Sequence, residues 1–185
     1  HNAKKMFSEL GIENGMMFMQ CKVEDGTCFV YDIGYRLTGS MEYKLFDKVA
    51  GYNPLKMLIN FALTGKMTDE DISAKFDPIK LRPCYNVSCL CAPGTIARIE
   101  GCNELTESEG VIDFILTHYP GDTITEEMRG LLTQITVRVL GYVDSKEGVC
   151  DAMQFIGNKV QIISTEGENL LLPGIQLSDI EGMVI

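Results

Sequence analysis

The stretch Phe18-Met19-Gln20-Cys21-Lys22-Val23-Glu24-Asp25-Gly26-Thr27-Cys28-Phe29-Val30-Tyr31-Asp32-Ile33-Gly34-Tyr35-Arg36 decides how this 185-residue chain is read. Two runs of strand-forming residues flank Glu24-Asp25-Gly26, the signature of a β-hairpin. With Gly26 as the left-handed residue of a three-residue loop and G1 bulge, Val23 opposes Thr27, Gln20 opposes Val30 and Phe18 opposes Asp32. Alternation then gathers Met17, Met19, Cys21, Val23, Phe29, Tyr31, Ile33 and Tyr35 on one face. That face is apolar throughout and is expected to be buried. The other face carries Phe18, Gln20, Lys22, Asp32, Gly34 and, if the strand continues, Arg36. A two-residue Asp25-Gly26 turn would instead send Gln20 and Asp32 to opposite faces, as any one-step slip does.

The first register places two oxygen donors and a guanidinium together. Mg²⁺ suits such a face, because it takes one or two protein oxygens and fills its octahedron with waters and phosphates. An Arg four residues past the carboxylate can stabilise charge developing on a transferring phosphoryl group. On pattern alone an ordinary hairpin with a surface Asp32–Arg36 pair stays open as the alternative.

Outward from the hairpin, a helix end over residues 3–10 stops at Gly11. Ser40 reads as the N-cap of a helix over 41–50, with Gly51 as its stop. Asn53-Pro54 opens a second helix, with Leu55, Leu58, Ile59, Ala62 and Leu63 at helical spacing and Gly65 at its end. Further on, Gly94–Glu100, Gly110–His118, Leu131–Val143, Val160–Ser164 and Leu170–Leu172 read as strands. Ser145 opens a helix over about 146–157. Strands with interspersed helices predict an antiparallel α+β chain.

Charge divides the chain. Residues 1–83 carry 11 basic and 11 acidic side chains, whereas residues 84–185 carry 5 and 15, which places the whole net charge of −10 in the second half. The change falls at 75–83, where Pro78 and Pro83 break regular structure. Two domains, 1–83 and 84–185, are expected.

Composition narrows the function classes. With 45% hydrophobic and 23% charged residues the chain has enough apolar surface to fold. Its acidity argues against nucleic-acid binding, which needs a basic surface. No apolar run approaches the ~20 residues that span a bilayer. The opening residues His1–Phe7 lack the apolar segment of a secretory signal, and a start on His leads us to expect further chain upstream. Seven cysteines with no CxxC pair give neither a disulfide framework nor a zinc set, and they read as thiols of a reducing cytoplasm. His118, without a visible orienting partner, reads as structural, and the acidic run Glu100–Glu109 as a solvated loop with a short helix.

The hairpin resembles the C-terminal half of the ATP-grasp fold of biotin carboxylase and the carbamoyl-phosphate synthetase large subunit. There, a Glu or Gln on one strand precedes Glu-x-Asn-x-Arg on the next, and the oxygen groups hold Mg²⁺ against ATP. Gln20 matches the first ligand, with Gln as in the carbamoyl-phosphate branch. Asp32 matches the Glu and Arg36 the Arg, whereas Gly34 stands where the family has Asn. Leu37-Thr38-Gly39-Ser40, the two following helices, and Gly94-Thr95-Ile96-Ala97-Arg98-Ile99-Glu100-Gly101 are also similar to the biotin-carboxylase type.

The resemblance implies an incomplete ATP-grasp subdomain over 1–83 and a small antiparallel α+β domain over 84–185. It implies an ATP- and Mg²⁺-dependent ligase (Mn²⁺ as a substitute), acting on a small carboxylate or bicarbonate through an acyl phosphate. Gln20 and Asp32 would be the metal and cofactor-binding residues and Arg36 the catalytic one. No Gly-rich phosphate loop occurs here, so the chain by itself is expected to be inactive. A homodimer is among the assemblies open to it. The alternative is a non-catalytic binding or regulatory module derived from the same fold, for which Gly34 speaks.

Overall fold

The structure, a computed structural model, describes residues 2–75, 77 and 80–174. The chain divides into two units, His1–Ile79 and Lys80–Ile185. The division falls within the proline-containing stretch 75–83, of which residues 76, 78 and 79 lie outside the described ones.

In the first unit, α1 (Asn2–Glu9) is followed by a hairpin of β1 (Phe18–Glu24) and β2 (Thr27–Gly34), which among the described residues pair only with each other. Two helices follow, α2 (Tyr43–Val49) and α3 (Pro54–Thr64), and then the single turn α4 (Ile72–Lys75). Helix α3 forms where its sequence directs. The Asn53 side chain accepts from the Lys56 N–H at 3.1 Å, Pro54 occupies the first turn, and Gly65 closes the helix in the left-handed region. Asn53 also donates to Asp47 at 3.1 Å, and Phe46 stacks on Tyr52 at 5.6 Å, which ties α3 to α2.

The start of α2 corrects the expected Ser40 cap. Met41 lies at φ 64°, so the chain turns between Ser40 and the helix, and Glu42 takes the N-cap position. The Glu42 carboxylate in turn accepts from the Thr38 hydroxyl.

The second unit holds the core. β3 (Cys84–Leu90), β7 (Ile135–Tyr142) and β5 (Val111–Leu116) form one antiparallel sheet with β7 in the middle. β6 (Thr123–Ile124), β4 (Gly94–Glu100) and β8 (Gln161–Ser164) form the other. Buried side chains from both sheets meet in one cluster that includes Cys89, Ile96, Ile124, Val137, Val139 and Ile162. Leu105 of α5 (Cys102–Thr106) and Ile156 of α6 (Lys146–Lys159) complete it.

As the central strand, β7 is buried at six of its eight positions, so its apolar residues run almost without alternation. Its predicted span shortens because Leu132–Gln134 form a 3-10 turn. Around the expected strand Leu170–Leu172 the chain forms isolated bridges, Cys91 with Leu171 and Ile163 with Asn169. Cys84–Leu90 and Thr123–Ile124 are strands that the sequence reading passed over. Ser145 caps α6 through the Gly148 N–H at 3.2 Å.

Candidate active site

The hairpin register differs from the expected one in two places. Asp25 and Gly26 both have positive φ (49° and 72°) and form a two-residue turn, so Glu24, not Val23, pairs with Thr27. Gln20 pairs with Asp32 rather than with Val30, and Phe18 with Gly34 rather than with Asp32. The ladder slips once, between Gln20 and Cys21, where Tyr31 is left without an opposite residue. This bulge offsets the shorter turn. Without it, Gln20 and Asp32 would lie on opposite faces; with it, they are direct cross-strand partners and share one, their Cα atoms about 4.5–5.5 Å apart.

The bulge also re-sorts the hairpin tip. The pairs Met19–Ile33, Cys21–Val30 and Val23–Cys28 make the apolar face, while Phe29 crosses to the oxygen face opposite Lys22. Val30 and Cys28 therefore replace Phe29 in the expected set, and Tyr31 has no opposite residue.

That apolar face is not buried, contrary to expectation: Val23 is 64% and Ile33 44% exposed. Side-chain alternation fixes which residues share a face, but burial needs a second layer. Among the described residues, no further strand pairs with β1 or β2.

Arg36 lies beyond the end of β2. Its guanidinium carbon stands 4.9 Å from the centre of the Phe18 ring, and Nη1 donates to the Leu37 carbonyl at 2.9 Å. Phe18 in turn lies against Gly34. A Cβ at position 34 would come within 2.0 Å of the ring, so a side chain there needs the ring to move. Phe18, Gln20, Asp32 and Gly34 thus share one face, with the Arg36 guanidinium beside the Phe18 ring at its end.

This donor set fits one hard divalent cation: a carboxylate and an amide oxygen from adjacent strands, both exposed to solvent. It offers no third side-chain oxygen at position 34. Among the described residues no group of three or more His, Cys, Asp or Glu could hold a metal. The cysteines include two buried thiols, and burial pushes Cys89 up to about 11. His118 is tied by Nε2 to the Thr133 carbonyl at 2.7 Å, with Nδ1 3.6 Å from Asp122. Phe18 is a residue of this face that the sequence analysis did not single out. The sequence signal was a large aromatic two residues before Gln20; its place opposite Gly34 comes from the register.

No protein-family model matches the sequence, and no curated protein sequence matches it either. Solved structures do match. An L-amino acid ligase from Bacillus licheniformis superposes with a TM-score of 0.68 at 18% identity, over 89% of this chain and 40% of that one. Phosphoribosylglycinamide synthetase from Anaerococcus prevotii gives 0.69 at 14% identity, over 88% and 40%. The chain spans about two fifths of the length of these proteins. No described helix is long and apolar enough to cross a membrane. The match to these ligases covers both units of an antiparallel α+β chain, which has the fold of part of an ATP-grasp protein.

Proposed function

We propose that this chain is the C-terminal part of an ATP- and Mg²⁺-dependent ligase of the carbamoyl-phosphate-synthetase type. Its domains are an incomplete ATP-grasp subdomain over 1–83 and a biotin-carboxylase-like domain over 84–185. The observation that carries the proposal is the Gln20–Asp32 pairing on one sheet face, with Arg36 at its end, in a chain of ATP-grasp fold.

In this reading Asp32 and the Gln20 amide oxygen would hold Mg²⁺ or Mn²⁺, which would supply positive charge against the ATP phosphates. A carboxylate or bicarbonate oxygen bonds to the γ-phosphorus while the bond to ADP breaks, giving an acyl phosphate. A nucleophile such as an amine then displaces phosphate. Arg36 stabilises the charge on the transferring group. Gln at position 20 supports the carbamoyl-phosphate type, and the neighbour named an L-amino acid ligase supports a carboxylate substrate.

The second reading, a non-catalytic module derived from this fold, is favoured by one observation: Gly34, packed under Phe18, supplies no ligand. Turnover of the longest polypeptide carrying this chain separates the two. ADP release with hydroxylamine trapping of a hydroxamate is the expected result. AMP and pyrophosphate would overturn the acyl phosphate, and ATP binding without turnover would favour the module. The chain alone is expected to bind ATP no better than millimolar, roughly −4 kcal/mol.

A further inference from the structure

Four cross-strand pairs line the oxygen face in order: Glu24–Thr27, Lys22–Phe29, Gln20–Asp32 and Phe18–Gly34. The pairs on either side of Gln20–Asp32 bring no oxygen donor. One brings a Lys, which repels a cation, and the other an aromatic ring over a bare glycine. That ring occupies the space into which a residue-34 side chain would project, since its Cε1 lies 2.0 Å from the place of a Cβ. The same ring lies 4.9 Å from the Arg36 guanidinium carbon. The Leu37 carbonyl takes one Nη1 hydrogen, and a guanidinium has five N–H donors, so others remain for an anion. Two of these features involve Phe18: the cover over Gly34 and the contact with the Arg36 guanidinium.

We infer that Phe18 is a positioning residue: seated over Gly34, its ring holds the Arg36 guanidinium at the end of the oxygen face, a face that takes one divalent cation because position 34 brings no side chain. This rests on the proposed reading, in which Gln20 and Asp32 take a cation, and goes beyond it in fixing the stoichiometry and naming what places Arg36. A purely structural Phe18 would cover the strand glycine and nothing more.

The test uses the full chain, Mn²⁺ alone and inorganic phosphate as probes, and NMR. One Mn²⁺ is expected to broaden the Gln20 side-chain amide signals at saturation. In Phe18→Leu the ring-current shift of the Arg36 Nε–H is expected to vanish, while Mn²⁺ still binds once. Phosphate affinity beside the bound Mn²⁺ is expected to fall about two- to fivefold, the worth of one exposed cation–π contact. Phe18→Tyr keeps the ring and should restore both readouts. Gly34→Ala displaces the ring while keeping Phe18 and should reproduce the Leu result, which covers failure of Phe18→Leu to fold. A second Mn²⁺ at Gln20 in the unaltered chain overturns the inference and leaves the proposed metal ligands standing. So does an Arg36 signal and phosphate affinity unchanged in both variants. No Mn²⁺ at Gln20 or Asp32 overturns the metal reading itself, and the inference with it.

Discussion

Gln20 and Asp32 are direct cross-strand partners because the unpaired Tyr31 offsets the two-residue Asp25-Gly26 turn. The hairpin reaches this alignment by two departures from regular geometry that cancel at the site. Either alone would separate the two oxygen donors by the thickness of the sheet.

Deletion of Tyr31 should therefore leave the site aligned. With the bulge gone, Val30 still pairs with Cys21 and Asp32 with Gln20, now in an unbroken ladder. Cross-strand NOEs between residues 20 and 32 should persist in the deletion. Deleting Gly26 instead disrupts the turn that both strands depend on, and those NOEs should be lost.

Removal of Arg36 tests where charge develops. In the longest polypeptide carrying this chain, Arg36→Ala should lower kcat about 10²–10³-fold, with the KM for ATP nearly unchanged. Arg36→Lys should recover only part, because an ammonium makes no bidentate contact. A surface role alone predicts normal turnover and about 0–1 kcal/mol of lost stability. Steady-state kinetics beside a melting curve tells them apart.

Burial of Cys89 predicts a pH limit on stability. Its folded pKa is raised from 9.0 to about 11 by desolvation, so the unfolded chain loses the thiol proton first. The stability it contributes is fully present below about pH 9 and is lost as pH rises toward 11. Two pKa units amount to about 3 kcal/mol. Urea unfolding at pH 8 and pH 10.5 should show the drop, and Cys89→Ala should shrink it. Cys91, also raised by burial, should keep part of it.

Loss of the α6 cap should be measurable. Ser145→Ala removes the acceptor for the Gly148 N–H and should cost about 1 kcal/mol, read as a lowered Tm. Ser145→Asp keeps an acceptor and adds a negative charge at the positive end of the helix, so it should melt close to the unaltered chain.

The sequence determined what depends on neighbours within a few residues. Helix α3 begins at Asn53-Pro54 and ends at Gly65 because an amide acceptor, a missing N–H and a left-handed residue act over single turns. Helix α6 begins after Ser145, whose hydroxyl oxygen accepts from the Gly148 N–H. The hairpin and its strand–turn–strand order were legible through alternation, whereas Gln20, Asp32 and Arg36 were singled out by resemblance, and the expected three-residue loop is a two-residue turn offset by a bulge.

Tertiary structure decided the rest, because it is made by residues distant in sequence. Tyr31 bulges because pairing across the strands selects which residue goes unopposed, and nothing local to Tyr31 marks it. Ser40 fails as a cap because Met41 turns the chain first. Strand β3 is edge to a sheet whose central strand lies about fifty residues on, so its mixed sequence, Cys84-Tyr85-Asn86-Val87-Ser88-Cys89-Leu90, gains order from β7 rather than from its own pattern. Alternation collected the apolar residues of the hairpin, yet Val23 and Ile33 are exposed, because burial belongs to whatever packs on a face and not to the face. The seating of Phe18 over Gly34 is of the same kind: sixteen positions apart in the chain, they meet only because the register pairs them.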